Sequence, residues 1–299
     1  MANDVLDAPV APEEAGGTPA AGPPTGVPSD RLREPRAVRW LLRAVTIGYV
    51  FFLVAWPTSL VFKNAFADGA GAVMESFQDP AVSNALRLTA EITFFSVLIN
   101  LFFGVTMSIL LVRYEFPGKR VLSALIDVPL SVSPVVVGLS LLLVYNGRDG
   151  WFGPTLESLG YKIVFSEPGM IMATVFVALP LVIREVVPVL QEIGDEQEQA
   201  GRSLGANAVQ TFRRITLPGI KWAIVYGVVL SLARSLGEFG AVKIVSGNIA
   251  NQTQTATLVV EQQYQNFEQS SAYAVAALLA FAAMACLVIV SLLRPKEEQ

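Results

Sequence analysis

Apolar residues along this chain fall into long, nearly uninterrupted runs separated by shorter stretches rich in charge, Gly and Pro. A bilayer core about 30 Å thick is crossed by roughly 20 apolar residues in a helix. Six runs reach that length: 41–62, 86–112, 121–145, 170–190, 222–245 and 272–293. A lipid-facing backbone must satisfy its own hydrogen bonds, which favours helices. The runs are also too long and continuous for barrel strands. The pattern predicts an all-α membrane protein with six transmembrane helices.

What interrupts each run differs. The second is uncharged from Ile92 onward, and the sixth carries no charge at all. The third holds Asp127, Pro129 and Pro134, and its prolines predict a kink in one span. The fourth holds Arg184 and Glu185 towards its end, and the fifth is the most polar. Arg87 and Glu91, four residues apart near the outer end of the second run, read as a structural interface pair.

Basic residues orient the chain. With the N-terminus inside, fourteen Lys and Arg fall in inside segments, against Lys63, Arg148 and Lys162 outside. Such a positive-inside bias predicts that both termini are cytoplasmic. Trp151, Phe152 and Tyr161 then fall in an outer loop, where amphipathic rings favour the membrane interface.

Composition supports the same class. Of 299 residues, 53% are hydrophobic and only 15% charged, where soluble domains carry about 25%. There is no histidine, which removes the usual general base and the commonest metal ligand. Cys286 is the single cysteine and lies in an apolar run, so an internal disulfide or Cys-based metal site is not available. No catalytic residue and no metal site is expected. Residues 1–30 are rich in Pro, Gly and Ala and are expected to be disordered. Without a basic start or an early apolar run they do not form a cleavable signal peptide. The expected organisation is a cytoplasmic tail at 1–38, a first helix and outer loop at 39–83, a permease domain at 84–293 and a short tail at 294–299.

The loop between the fourth and fifth runs, 191–221, is too polar to enter a membrane yet patterned. Asp195, Glu196 and Glu198 open a helical stretch and Arg202 follows, an order that suits the helix dipole. Gly205 permits a sharp turn. A second short helix is expected over 207–215, ending before Pro218, which cannot continue a helix. The result is a compact knob on the cytoplasmic side; a plain connector is the alternative.

Gln199-Ala200-Gly201, then Gly205-Ala206, Phe212, Ile215, Leu217 and Pro218, resembles the EAA loop of the permeases of ATP-binding cassette (ABC) importers. In that pattern a Glu-Ala-Ala triplet is followed after three residues by Gly, and after nine more by Ile-x-Leu-Pro. Here Gln199 stands for Glu and Gly201 for the second Ala, with Glu196 and Glu198 beside them. The resemblance implies a type I ABC importer permease fold with a cytoplasmic coupling helix, in which the loop 195–218 inserts into a groove of a separate ATPase. It further implies an ATPase dimer, a second homologous permease, an extracytoplasmic binding protein and alternating access in a bacterial plasma (inner) membrane. This chain has no phosphate-binding loop: Gly118-Lys119 lacks the upstream Gly and is followed by Arg120. No cofactor is expected on it, ATP and Mg belonging to the partner, and no nucleic-acid partner is expected.

The fifth run contains Arg234, Gly237, Glu238, Phe239, Gly240 and Ala241, with Arg234 and Glu238 four apart on one helical face. Charges inside a span are costly and usually face a bundle interior or water. The pair is either an internal tie between helices or an element of the pathway, a gate. This segment resembles the oxyanion branch of the family, and its continuation through Ser246-Gly247-Asn248 and Glu261-Gln262-Gln263-Tyr264 is most similar to the sulfate/thiosulfate permeases of the CysW type. Molybdate or tungstate is the alternative substrate. A self-contained secondary anion transporter would show inverted repeats with paired broken helices and leaves the loop pattern unexplained. A membrane enzyme would have to rest on Asp127, Glu185 or Glu238, which form no recognisable site.

Overall fold

The computed structural model describes residues 36–293, so the expectations for residues 1–35 and 294–299 lie outside the described residues. The first apolar run forms α1 (Arg36–Val50), a π-helical turn (Phe51–Ala55) and α2 (Trp56–Ala65), and Ala37–Ala65 is long and apolar enough to cross a membrane. From α2 onward the described chain packs as one unit. After α3 (Ala70–Gln78), Asp79 caps α4 (Pro80–Arg113) by accepting the Ala81 N–H at 2.9 Å.

The third run breaks instead of bending. Helix α5 (Lys119–Ser131) and α6 (Pro134–Tyr145) meet at 112°. Pro134 opens α6 and pushes Ser133 to an extended backbone, ψ 135°. Val132 is extended too, at ψ 135°. Pro129 stays inside α5. The single kinked span expected over 121–145 is therefore corrected to two half-helices.

A short α7 (Gly153–Ser158) leads to α8 (Glu167–Glu192), whose Pro180 and Pro188 remain inside the helix. The loop contributes α9 (Glu196–Ser203) and α10 (Ala208–Thr211), followed by a π-helical turn (Phe212–Thr216) and α11 (Leu217–Leu236). A second correction falls here: the helix does not stop before Pro218 but runs continuously over Ala208–Leu236. The π turn absorbs the proline, since the Leu217 N–H reaches back five residues to the Phe212 carbonyl.

A third correction concerns the fifth run. Helix α11 ends at Leu236, and α12 (Gly240–Ser246) follows as a separate element, so no continuous helix covers 222–245. Helices α13 (Ala256–Gln265) and α14 (Gln269–Leu293) complete the described chain.

Helix α8 is the hub, packing against α4, α11, α5 and α12. Around one end of it, Ile92, Val137, Met170, Val177, Val242 and Leu258 form a core; around the other, Val105, Val182, Val186, Leu190 and Ile220 form a second. Helices approach closely where α8 meets two glycines. A Cβ on Gly104 would lie 2.7 Å from Val182 Cβ, and one on Gly227 would lie 2.8 Å from Val182 Cα. Small residues allow such approach where no hydrophobic drive separates helix from lipid.

Candidate functional site

The loop between α8 and α11 is a rigid knob. Gly205, at φ 89°, ends α9: its N–H donates to the Arg202 carbonyl at 2.9 Å and the Ala206 N–H to the Gly201 carbonyl at 3.0 Å. That pair of bonds satisfies the carbonyls left open at a helix end, and its left-handed residue favours glycine. Two residues later Asn207 and Gln210 exchange side-chain and backbone bonds, each at 2.9 Å, and start α10. Gly201 sits against Ile215, where a Cβ would come within 2.7 Å of Cδ1. Phe212 packs on the Val186–Leu190–Ile220 core.

Glu198 ties this knob to the bundle. Its carboxylate lies 3.1 Å from Arg113 Nη2 and accepts the Thr216 hydroxyl at 2.8 Å. Arg113 Nη1 donates to the Leu190 carbonyl at 3.0 Å and Nη2 to the Gly194 carbonyl at 2.6 Å, at the open end of α8. A cation is favoured there by the helix dipole. Through these two side chains the ends of α4 and α8, helix α9 and the base of α11 meet at one point.

The predicted loop residues therefore separate by role. Glu198 is buried, whereas Glu196, Gln199 and Ala200 face outward, Gln199 bonding Asp195 at 2.7 Å. Leu204 and Val209, which the motif alone did not single out, are 90% and 73% exposed at the tip. Apolar side chains that exposed at the tip of a rigid loop point to a partner surface. Arg113 and Thr216 were also not foreseen: Arg113 reads as one more inside charge, and nothing in the sequence pairs it with Glu198 85 positions away.

Arg234 and Glu238 do meet, at 2.7 Å, but not along a helix. Glu238 lies beyond the end of α11 and is 4% exposed. One carboxylate oxygen accepts the Ala241 N–H at 2.9 Å, and its backbone carbonyl accepts the Thr257 hydroxyl at 2.9 Å. Glu238 thus caps the first turn of α12 while Arg234 neutralises it. Gly237 leaves α11, and Gly240 brings α12 close to α6, where a Cβ would lie 3.2 Å from Pro134 Cβ; Phe239 stays at the surface. Among the described residues no cluster of three His, Cys, Asp or Glu side chains could hold a metal ion.

The family described as "Binding-protein-dependent transport system inner membrane component" matches residues 100–295. The chain belongs to that family. Within it, the "Sulfate transport system permease protein CysW" of Synechococcus elongatus is 45% identical over 255 residues, covering 85% of this chain and 89% of the relative. The protein of the same name from Escherichia coli K12 is 40% identical over 256 residues, 86% and 88% of the two chains. "Sulfate permease 2, chloroplastic" of Chlamydomonas reinhardtii is 44% identical, over 92% of this chain and 73% of its own. The fold is shared with a bacterial ABC transporter involved in the import of the acidic polysaccharide alginate, at a TM-score of 0.69 and 19% identity over 88% of this chain and 96% of that one.

Proposed function

We propose that this family member is the permease subunit of an ABC importer that carries sulfate, with thiosulfate as a second cargo, across a bacterial plasma membrane. Both termini face the cytoplasm in this reading, as the basic residues favour. A separate ATPase dimer docks on the α9–α10 knob and hydrolyses ATP with Mg, a second homologous permease completes the path, and an extracytoplasmic binding protein delivers the anion. The permease itself does no chemistry. The observation that carries the coupling role is the knob: Leu204 and Val209 project from its tip, while Glu198 and Arg113 fasten it to the ends of the spans. A push on the tip is then delivered to α4, α8 and α11 together. The substrate class rests on the relatives of 40–45% identity along most of the chain.

Radiolabelled sulfate uptake tests the proposal, in cells lacking their own importer and supplied with this chain, its ATPase, sister permease and binding protein. Uptake that thiosulfate competes and molybdate does not, lost in Gly205→Asp at normal membrane levels, is the expected result. Molybdate uptake in place of sulfate would move the substrate assignment, and full uptake by Gly205→Asp would remove the coupling role.

A further inference from the structure

The charged residues inside the spans are not all accounted for by the knob and the Arg234–Glu238 cap. Arg184 of α8 meets Asp127 of α5 through Nε and Nη2, both 3.1 Å from Oδ1. Their side chains are 59% and 49% exposed. Eight residues separate Asp127 from the start of α5 at Lys119, and eight separate Arg184 from the end of α8 at Glu192. At 1.5 Å per residue both lie about 12 Å inside the helix ends. A charged pair at that depth is costly against lipid, so this face turns to water or protein.

The surroundings continue the polar line on both sides of the pair. Lys119, Ser123, Asp127 and Ser131 recur every four residues along α5, which places them in one stripe. The stripe ends at the break before α6, where Ser131 and Ser133 are exposed and the backbone is extended. Non-helical backbone at membrane depth is tolerated where it is buried in protein or lines a water-filled cavity, and both serines are exposed in this chain. At the opposite end Lys119, Arg120, Ser123 and, from α8, Gln191 line a cavity of about 670 Å³. Glu115 holds Lys119 at 2.6 Å. Arg184 has Asp127 and Lys119 has Glu115 as counter-charge, and with Arg120 and Glu185 counted the three cations of this face are matched by three anions.

We propose that the α5 stripe with Arg184 and Gln191 lines the route of the anion through this subunit, and that Arg184 is its transient contact. The inference rests on the reading of the chain as an anion importer. An oxyanion takes two parallel N–H bonds from a guanidinium as a carboxylate does. Asp127 engages both N–H groups through the single oxygen Oδ1 when no anion is present and is displaced as one passes. A bare Arg184 would hold a dianion too long. Passage needs binding favourable enough to enter and weak enough to leave.

The test uses the complete complex in proteoliposomes, with Cys286→Ser removing this chain's one native thiol and the partner subunits freed of cysteine. Single cysteines are placed by Ser123→Cys, Ser131→Cys and Leu125→Cys, the last on the exposed apolar side of α5. A sulfonate-bearing thiol reagent is expected to label positions 123 and 131, at least fivefold slower with sulfate present, and to spare 125. Arg184→Gln is expected to lower sulfate uptake at least tenfold while binding-protein-stimulated ATP hydrolysis stays within twofold of native, and Arg184→Lys to restore part of the uptake. Unreactive cysteines at both 123 and 131, or native uptake by Arg184→Gln, would overturn the route. Protection by molybdate together with molybdate uptake would overturn the sulfate reading while supporting the route.

Discussion

Arg113 closes α4 and reaches Glu198 of α9 at 3.1 Å, with 11% and 7% of their side chains exposed. The same guanidinium holds the carbonyls of Leu190 and Gly194, so one side chain links two span ends to the partner-facing loop. Losing one member of such a buried pair strands the other charge, at a cost of about 3–5 kcal/mol. Glu198→Ala is therefore expected to lower the thermal midpoint of the purified complex and abolish sulfate-coupled ATP hydrolysis. Glu198→Gln keeps an acceptor for Thr216 and should fall between. Equal midpoints for native and Glu198→Ala would mean that the pair does not fasten the loop.

Partner contact and fold stability should separate at the knob's tip. Leu204 and Val209 are largely in solvent in the isolated chain, so their substitution touches no core; exposed sites of this kind shift stability by about 0.5 kcal/mol or less. Leu204→Asp and Val209→Asp are expected to leave the midpoint of the isolated permease unchanged. Co-purification of the ATPase should drop at least tenfold for the double variant. An ATPase that stays bound in full would place the docking surface elsewhere.

Two glycines of the same loop should respond in opposite directions. Gly205 holds φ 89°, where a side chain costs about 1–2 kcal/mol, so Gly205→Ala should destabilise. Gly201 lies in the last turn of α9, and an added Cβ there meets only Cδ1 of Ile215, the mobile end of a flexible side chain. Ala gains up to about 1 kcal/mol over Gly in a helix. Gly201→Ala is thus expected to be neutral or stabilising, although Gly replaces Ala of the triplet at that position. Thermal melts of both variants side by side check the signs.

The spans and the turn at Gly205 were legible because each depends on local composition: long apolar runs for the former, a residue free to take positive φ for the latter. What misled was proline read one residue at a time. Pro218 looks like a stop signal, but the π turn over Phe212–Thr216 widens the ladder and lets the helix through. Pro134 looks like a kink, but with Val132 and Ser133 extended it becomes a 112° break. Gly237 and Gly240 allow either close packing or unwinding, and Glu238 between them caps a new helix. The π turn hangs on an i−5 partner, and the burial of Glu198 on Arg113, 85 positions away. Spacing along the chain does not carry that information.

The crossing of α4, α8 and α11 offers a test of packing that is independent of transport. Val182 is fully buried, and both Gly104 and Gly227 face it. At Gly104 an added methyl would meet Cβ and Cγ1 of Val182 at 2.7 and 2.8 Å; at Gly227 it would meet Cα at 2.8 Å. No change of rotamer moves a Cα or a Cβ, so a whole helix must shift. Overpacking of that kind costs about 1–3 kcal/mol. Gly104→Ala and Gly227→Ala are expected to lower the midpoint by several degrees in detergent. Gly71→Ala, in α3 with nothing within 4 Å of the new carbon, should hold or raise it. Should all three melt together, the close approach of α8 to its two neighbours would be looser than this geometry requires, and the two glycines would owe their presence to something other than packing.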